Sequence, residues 1–137
     1  RGGRVPAGMA LERVNASRKT PARLARVRAS KYDDRGDAMH GVRVEHTRVR
    51  PDGRVLVVDD VLETGDTMRA VLRGLFGGGG APRDVRVAVP FKKSSYVRTD
   101  VMGSKVYYGE DVPDDVWIIP EWEKAAYRKA AGRKVRR

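Results

Sequence analysis

Residues 55–67 (VLVVDDVLETGDT) constrain this 137-residue chain more than any other stretch. Arg54–Val58 is a continuous run rich in β-branched residues, which predicts a strand buried on both faces, as in a parallel sheet. It ends in Asp59-Asp60. Thr64-Gly65-Asp66-Thr67 then opens a helix through Met68, Val71, Leu72 and Leu75, which the glycines at 77–80 stop. Two carboxylates at the carboxyl end of a buried strand fall in the crevice where open α/β sheets bind ligands. The turn after them offers backbone N–H groups and hydroxyls to an anion, helped by the helix dipole. Carboxylates for a diol beside a cradle for a phosphate describe a site for ribose 5-phosphate. A helix cap by Thr64 or Asp66 accounts for one polar residue, but not for the acid pair.

The rest of the chain fits an α/β sheet. Residues 5–14 (VPAGMALERV) predict a short helix after a glycine pair, with Pro6 in its first turn. Residues 23–29 and 41–47 alternate apolar and polar residues, as half-exposed strands do. The polar segment 31–40 between them is expected to be a mobile loop, and Pro51-Asp52-Gly53 a turn. Residues 85–89 (VRVAV) predict a strand closed by Pro90, and residues 105–108 another short one. Trp117-Ile118-Ile119-Pro120 ends the sheet region, and 121–133 reads as a basic helix with Trp122, Ala126 and Ala130 at helical spacing. A strand, helix, strand order with buried runs implies a mostly parallel central sheet flanked by helices.

Composition bounds the chemistry. With no cysteine there is neither a disulfide framework nor a cysteine-ligated metal, which fits a reducing cytosol. His40 and His46 are the only histidines, so any metal is a hard cation held by carboxylates and by its own ligand. No apolar run approaches the roughly 20 residues of a membrane helix. The net charge of +11 is concentrated at the ends. Residues 1–31 hold nine basic residues and one acidic, and 121–137 hold seven and two, around a slightly acidic centre. Basic ends attract polyanions, RNA among them, or are simply solvated surface and a frayed tail.

The pattern of hydrophobic strand, two acids, two apolar residues, one variable position and threonine-glycine-x-threonine resembles the signature of type I phosphoribosyltransferases. That family transfers ribose 5-phosphate from 5-phosphoribosyl-1-pyrophosphate (PRPP). The resemblance implies that Asp59 and Asp60 hold the ribose hydroxyls and help bind Mg²⁺. It further implies that Glu63, Thr64, Gly65, Asp66 and Thr67 cradle the 5-phosphate. Arg1-Gly2-Gly3-Arg4-Val5-Pro6 is similar to the pyrophosphate-gripping loop of the guanine and xanthine branch, which assigns pyrophosphate to Arg1, Gly2 and Gly3. Residues 115–123 (DVWIIPEWE) resemble the base-pocket segment of the same branch, with Trp117 stacking on the purine and Ile118 reading its edge by backbone. Core packing is the alternative for Trp117. Relatives carry a lysine that donates to the 6-oxo group, which falls on Lys92 first and Lys93 next. On this resemblance, closest to xanthine-guanine and hypoxanthine-guanine phosphoribosyltransferases, residues 1–123 form the transferase domain. Within it, 105–123 form a base-pocket hood, and 124–137 follow as a basic helix and tail.

The implied function is purine salvage in the cytoplasm, with guanine, xanthine or hypoxanthine as acceptor and pyrophosphate as leaving group. Catalysis falls to Asp60 and to Glu63, which stands where the branch carries an aspartate facing the attacking nitrogen. The segment Lys31 to His40, with Tyr32, Asp33, Asp34 and Arg35, fits the family's lid, which excludes water on closing. Adenine is disfavoured by a lysine donor, and a pyrimidine by the tryptophan segment. Relatives are dimers or tetramers, which implies a homo-oligomer. Two departures stand out. The family places a helix and its first core strand before the arginine-glycine-glycine loop, so the chain is expected to be a fragment or to lack that strand. Pro120 and Trp122 are separated by Glu121, where relatives tend to have them adjacent. The other function compatible with the sequence is a non-catalytic protein of this fold that binds a nucleotide, and RNA through its basic termini.

Overall fold

The computed structural model describes residues 3–32, 38–46, 53–77, 84–125 and 128. Helix α1 (Arg4–Asn15) starts after Gly3, with Pro6 in the first turn, where its missing N–H leaves no bond unmade. Strands β1 (Val27–Tyr32) and β2 (Ala38–His46) pair antiparallel, with Ala29 opposite Val44 and a register shift between Ser30 and Tyr32. The segment expected to be a loop and lid is therefore strand at both of its ends, because cross-strand pairing satisfies the backbone without requiring an apolar side chain at each position. Asp33, Asp34 and Arg35 lie outside the described residues.

A five-stranded sheet forms the body of the domain. Strand β3 (Arg54–Val58) and the short β4 (Val61–Leu62) both pair parallel with β5 (Asp84–Lys93). Beyond β5 lies β7 (Ser104–Val112), also parallel, and β6 (Asp100–Val101) closes that side antiparallel to β7. Between β4 and β5 the chain forms helix α2 (Asp66–Phe76), which buries Met68, Val71 and Leu72. Each such side chain removed from water contributes about 1.5–3 kcal/mol before entropy is counted. The core beneath α2 joins Met68 and Leu72 to Leu62, Val87, Val89, Tyr96, Val101 and Val106, with Val57, Phe76 and Val85 at its margin. Gly74 on α2 lies against Val44, so the β1–β2 hairpin packs on the same helix.

Three expectations change. Strand β3 is not buried on both faces: it stands at the end of the sheet order, and Leu56 on the face away from α2 is 44% exposed. Pro90 does not close its strand, since β5 runs on to Lys93. Its place explains why it is tolerated. The register is the same on either side of Asp59-Asp60, with Val58 opposite Ala88 and Val61 opposite Phe91. That sets Asp60 against Pro90, which has no N–H to donate, and β3 and β4 are two pieces of one interrupted strand position. Strand β7 is also longer than the expected 105–108, and its Gly109 lies against Pro90, whose carbonyl oxygen would be 2.8 Å from an added Cβ.

Past β7 the chain leaves the sheet and forms a 3₁₀ turn at Glu121–Glu123, with Lys124, Ala125 and Arg128 helical. The rest of the expected basic helix lies outside the described residues. Among the described residues no helix is long and apolar enough to cross a membrane.

Candidate functional site

The interruption between β3 and β4 turns the acid pair out of the ladder at the carboxyl end of the sheet. Asp59 still donates its N–H to Ala88, at 3.2 Å. The Asp59 carboxylate accepts the N–H of Asp60, and the Asp60 carboxylate that of Val61, each at 3.0 Å. These local bonds fix both side chains. Burial, followed by the charge of neighbouring Asp60, raises the Asp59 carboxyl from 3.8 to about 7. Gly3 approaches this pair so closely that a Cβ there would lie 2.9 Å from both the Cα and Oδ1 of Asp59. Of the expected pyrophosphate loop, Gly3 thus sits on the acid pair, while Arg1 and Gly2 lie outside the described residues.

Gly65 takes a left-handed conformation (φ 78°) immediately before α2, and a Cβ there would come within 2.8 Å of the Tyr96 ring. Only glycine meets both demands. Of the first-turn amides of α2, that of Asp66 donates to the Thr64 hydroxyl at 3.3 Å, and the helix itself supplies no acceptor for the next two. The Thr64 hydroxyl donates to the Asp66 carboxylate at 2.6 Å. Arg69, one turn into α2, donates to the same carboxylate at 2.6 Å and to the Thr64 carbonyl at 3.0 Å. The turn is therefore braced from the helix side by Arg69 and from below by Tyr96, whose hydroxyl donates to the Asp100 carbonyl at 2.7 Å.

A cleft of about 320 Å³ joins these parts to the segment after β7. Asp59, Asp60, Glu63, Thr64, Gly65, Asp66 and Thr67 line one side, and Lys93, Trp117 and Ile118 the other, with Asp114, Asp115 and Glu123. Trp117 is 80% exposed, so it is not a core residue; its indole forms part of the cleft wall. The two candidate lysines part company. Lys92 does not line the cleft: it is ion-paired with Asp111, donates to the Tyr96 carbonyl at 3.0 Å and lies 4.8 Å from the Tyr108 ring centre. Lys93 lines the cleft, yet its ammonium donates to the carbonyls of Pro113 (3.0 Å), Asp114 (3.4 Å) and Val116. It ties down the segment that carries Trp117. Ser95 assists from the same loop, its N–H and hydroxyl donating to the Asp114 carboxylate at 3.2 and 2.8 Å, which holds that carboxyl below its ordinary value.

Sequence reasoning missed Arg69, Tyr96, Ser95 and Asp114. Arg69 carried a signal, since a cation three residues after an acid in a first helical turn is a pairing position. Tyr96 and Ser95 carried none, because only the tertiary fold brings them to the cleft.

A family model described as phosphoribosyl transferase domain matches residues 1–123. Two solved structures are similar. One, a hypothetical protein from Neisseria gonorrhoeae with bound ppGpp, has a TM-score of 0.62 and 23% identity, covering 99% of this chain and 78% of that one. The other, a purine phosphoribosyltransferase from Pyrococcus horikoshii Ot3, has a TM-score of 0.57 and 19% identity, covering 88% of this chain and 75% of that one. No curated protein sequence matches.

Proposed function

The chain belongs to the phosphoribosyl transferase domain family, and from that premise we propose that it transfers ribose 5-phosphate from PRPP to a 6-oxopurine, with guanine, hypoxanthine and xanthine as the candidates. The observation that carries this is one cleft lined by the acid pair, the glycine turn at the start of α2 and an exposed tryptophan. The turn holds the 5-phosphate by backbone amides and the Thr67 hydroxyl, while the Thr64 hydroxyl is held by Asp66. Asp59 and Asp60 accept from the ribose hydroxyls, and Trp117 stacks on the base.

In the reaction the bond from the anomeric carbon to pyrophosphate breaks and a bond to a purine nitrogen forms. That nitrogen loses its proton, and Glu63 on the cleft wall accepts it. Positive charge develops on the ribose ring, which the neighbouring carboxylates stabilise electrostatically. The donor set suits a hard cation: Asp59 and Asp60 offer oxygens, and among the described residues no group of three or more potential ligands exists. Mg²⁺ would therefore complete its shell from substrate oxygens and water. When bound, it neutralises charge on the leaving pyrophosphate.

Trp117→Ala tests the base side alone. Losing a stacking aromatic weakens base binding by about 1–3 kcal/mol, so the KM for the purine is expected to rise roughly 5- to 150-fold. The KM for PRPP and the melting temperature should stay unchanged, because the indole stands largely in solvent. An unaltered purine KM would remove Trp117 from the site.

A second reading is a domain that binds a purine nucleotide without turning it over and docks on RNA. Two observations favour it. One similar structure carries bound ppGpp, and Arg4, Arg13, Arg18, Lys19, Arg23, Arg26 and Arg28 are all exposed. RNA affinity that falls steeply with salt and is lost with these basic residues would support it.

A further inference from the structure

The side of the cleft around Trp117 is negatively charged. Asp114, Asp115 and Glu123 line it, and among the described lining residues Lys93 is the only cation. An ammonium has three N–H donors. Those of Lys93 are directed at the carbonyls of Pro113, Asp114 and Val116, so it has none left for a ligand. Asp114 is committed to Ser95. The carboxylates of Asp115 and Glu123 have no hydrogen-bond or ion-pair partner among the described residues, and Glu123 is half-buried. A carboxylate only accepts hydrogen bonds. A base stacked on Trp117 therefore meets acceptors and negative charge rather than a donor.

Resting on the purine-transferase reading above, we propose that Asp115 and Glu123 set the choice of base. The cleft takes a neutral purine whose edge offers N–H and amino hydrogens, guanine first, and rejects xanthine. Guanine presents an N–H at position 1 and an amino group at position 2. Hypoxanthine keeps only the first of these. Xanthine has an oxo acceptor at position 2 and becomes an anion close to neutral pH, so it brings an acceptor against acceptors and a like charge against two carboxylates. Adenine offers amino hydrogens at position 6 but sets a lone pair at position 1 against the same acceptors. A half-buried acceptor left facing another acceptor is costly, which is how such sites reject an analogue that lacks the matching donor.

The test is kcat/KM for guanine, hypoxanthine and xanthine with PRPP and Mg²⁺, at about pH 6 and about pH 8.5. It is run on the wild-type protein and on the Asp115→Asn/Glu123→Gln double variant. Titration of Asp59 acts on all three bases alike and cancels in their ratio. Guanine is expected to exceed xanthine by at least roughly tenfold at the higher pH, in the range one mismatched contact supplies. The gap should narrow at the lower pH, where xanthine is neutral, and should narrow at the higher pH in the double variant as xanthine use rises several-fold. Xanthine used as well as guanine by the wild type would overturn the proposal. So would a gap at the higher pH that the double substitution leaves unchanged. If the double variant does not fold, the single Asp115→Asn variant, at an exposed position, decides by the same narrowing. Failure of the underlying reading looks different: no nucleotide from any base, which would remove both.

Discussion

Asp59→Asn is expected to lose transfer activity while making the folded protein more stable at alkaline pH. Both effects come from one carboxylate. Removing a single electrostatic contact to the developing charge lowers kcat/KM by roughly 10²- to 10³-fold. The stability effect follows from the raised carboxyl. Asp59 moves from 3.8 to about 7 on folding, chiefly through burial and then through the charge of Asp60. Below 3.8 folded and unfolded states are both protonated and the site is neutral in the balance. Between 3.8 and about 7 the folded state binds more protons than the unfolded one, so stability falls as pH rises. Above about 7 the whole penalty applies. A shift from 3.8 to about 7 corresponds to ~4 kcal/mol for a fully shielded group. The Asp59 side chain keeps some solvent contact, and about 2 kcal/mol is the expected gain of the asparagine variant near pH 8. Denaturant melts of both proteins without divalent cations, near pH 4 and pH 8, check it. Equal stability at pH 4 and a more stable variant at pH 8 is the expected pair. A variant less stable at pH 8 would show that Asp59 is a structural carboxylate, not a strained functional one.

Lys93→Met is expected to be the most destabilising change in the cleft. Lys93 is 6% exposed, and its ammonium bridges three carbonyls in the segment after β7. Methionine fills most of the volume but supplies no donor. Each carbonyl that stays shielded from water costs about 1–3 kcal/mol, and solvent reaches part of this exposed segment, so the expected loss is about 2–4 kcal/mol. Arginine should not rescue it, because a planar fork cannot serve three carbonyls arranged around a point charge. The kinetic signature is a rise in KM for the purine larger than that for PRPP, since the loosened segment carries Trp117 while the phosphate turn is braced independently by Arg69 and Tyr96. If Lys93 donated to the base instead, the methionine variant would lose activity at unchanged stability. Thermal denaturation beside the two KM values separates the cases.

The strand, acid pair, glycine turn and helix at 54–76 were legible because each residue there satisfies a local rule: apolar run, interrupted ladder, left-handed glycine, first-turn anion. Helix α1 was legible for the same reason. The lysines were not, and the cause is the two-residue period of a strand. Lys92 and Lys93 are adjacent on β5, so one faces the cleft and the other faces away, toward Asp111 and Tyr108. Which is which depends on register, which sequence does not print. Pro90 misled in a similar way: proline ends a strand unless its position in the ladder needs no N–H, and that condition is set by Asp60 in the interruption between β3 and β4. The extended hairpin ends at Tyr32 and Ala38 rest on cross-strand pairing and not on hydrophobic pattern. Trp117, read from the sequence as the stacking residue with core packing as the alternative, is among the most exposed large apolar groups and lines the cleft.

The most direct measurement of the central claim is product formation. The protein is incubated with PRPP and Mg²⁺ and, in turn, guanine, hypoxanthine, xanthine and adenine, and nucleotide and pyrophosphate are quantified together. Nucleotide and pyrophosphate in equal amounts from guanine, lost in an Asp60→Asn variant that keeps its fold, is the expected result. A folded wild-type protein that binds a purine nucleotide but releases no pyrophosphate with any of the four bases would contradict it.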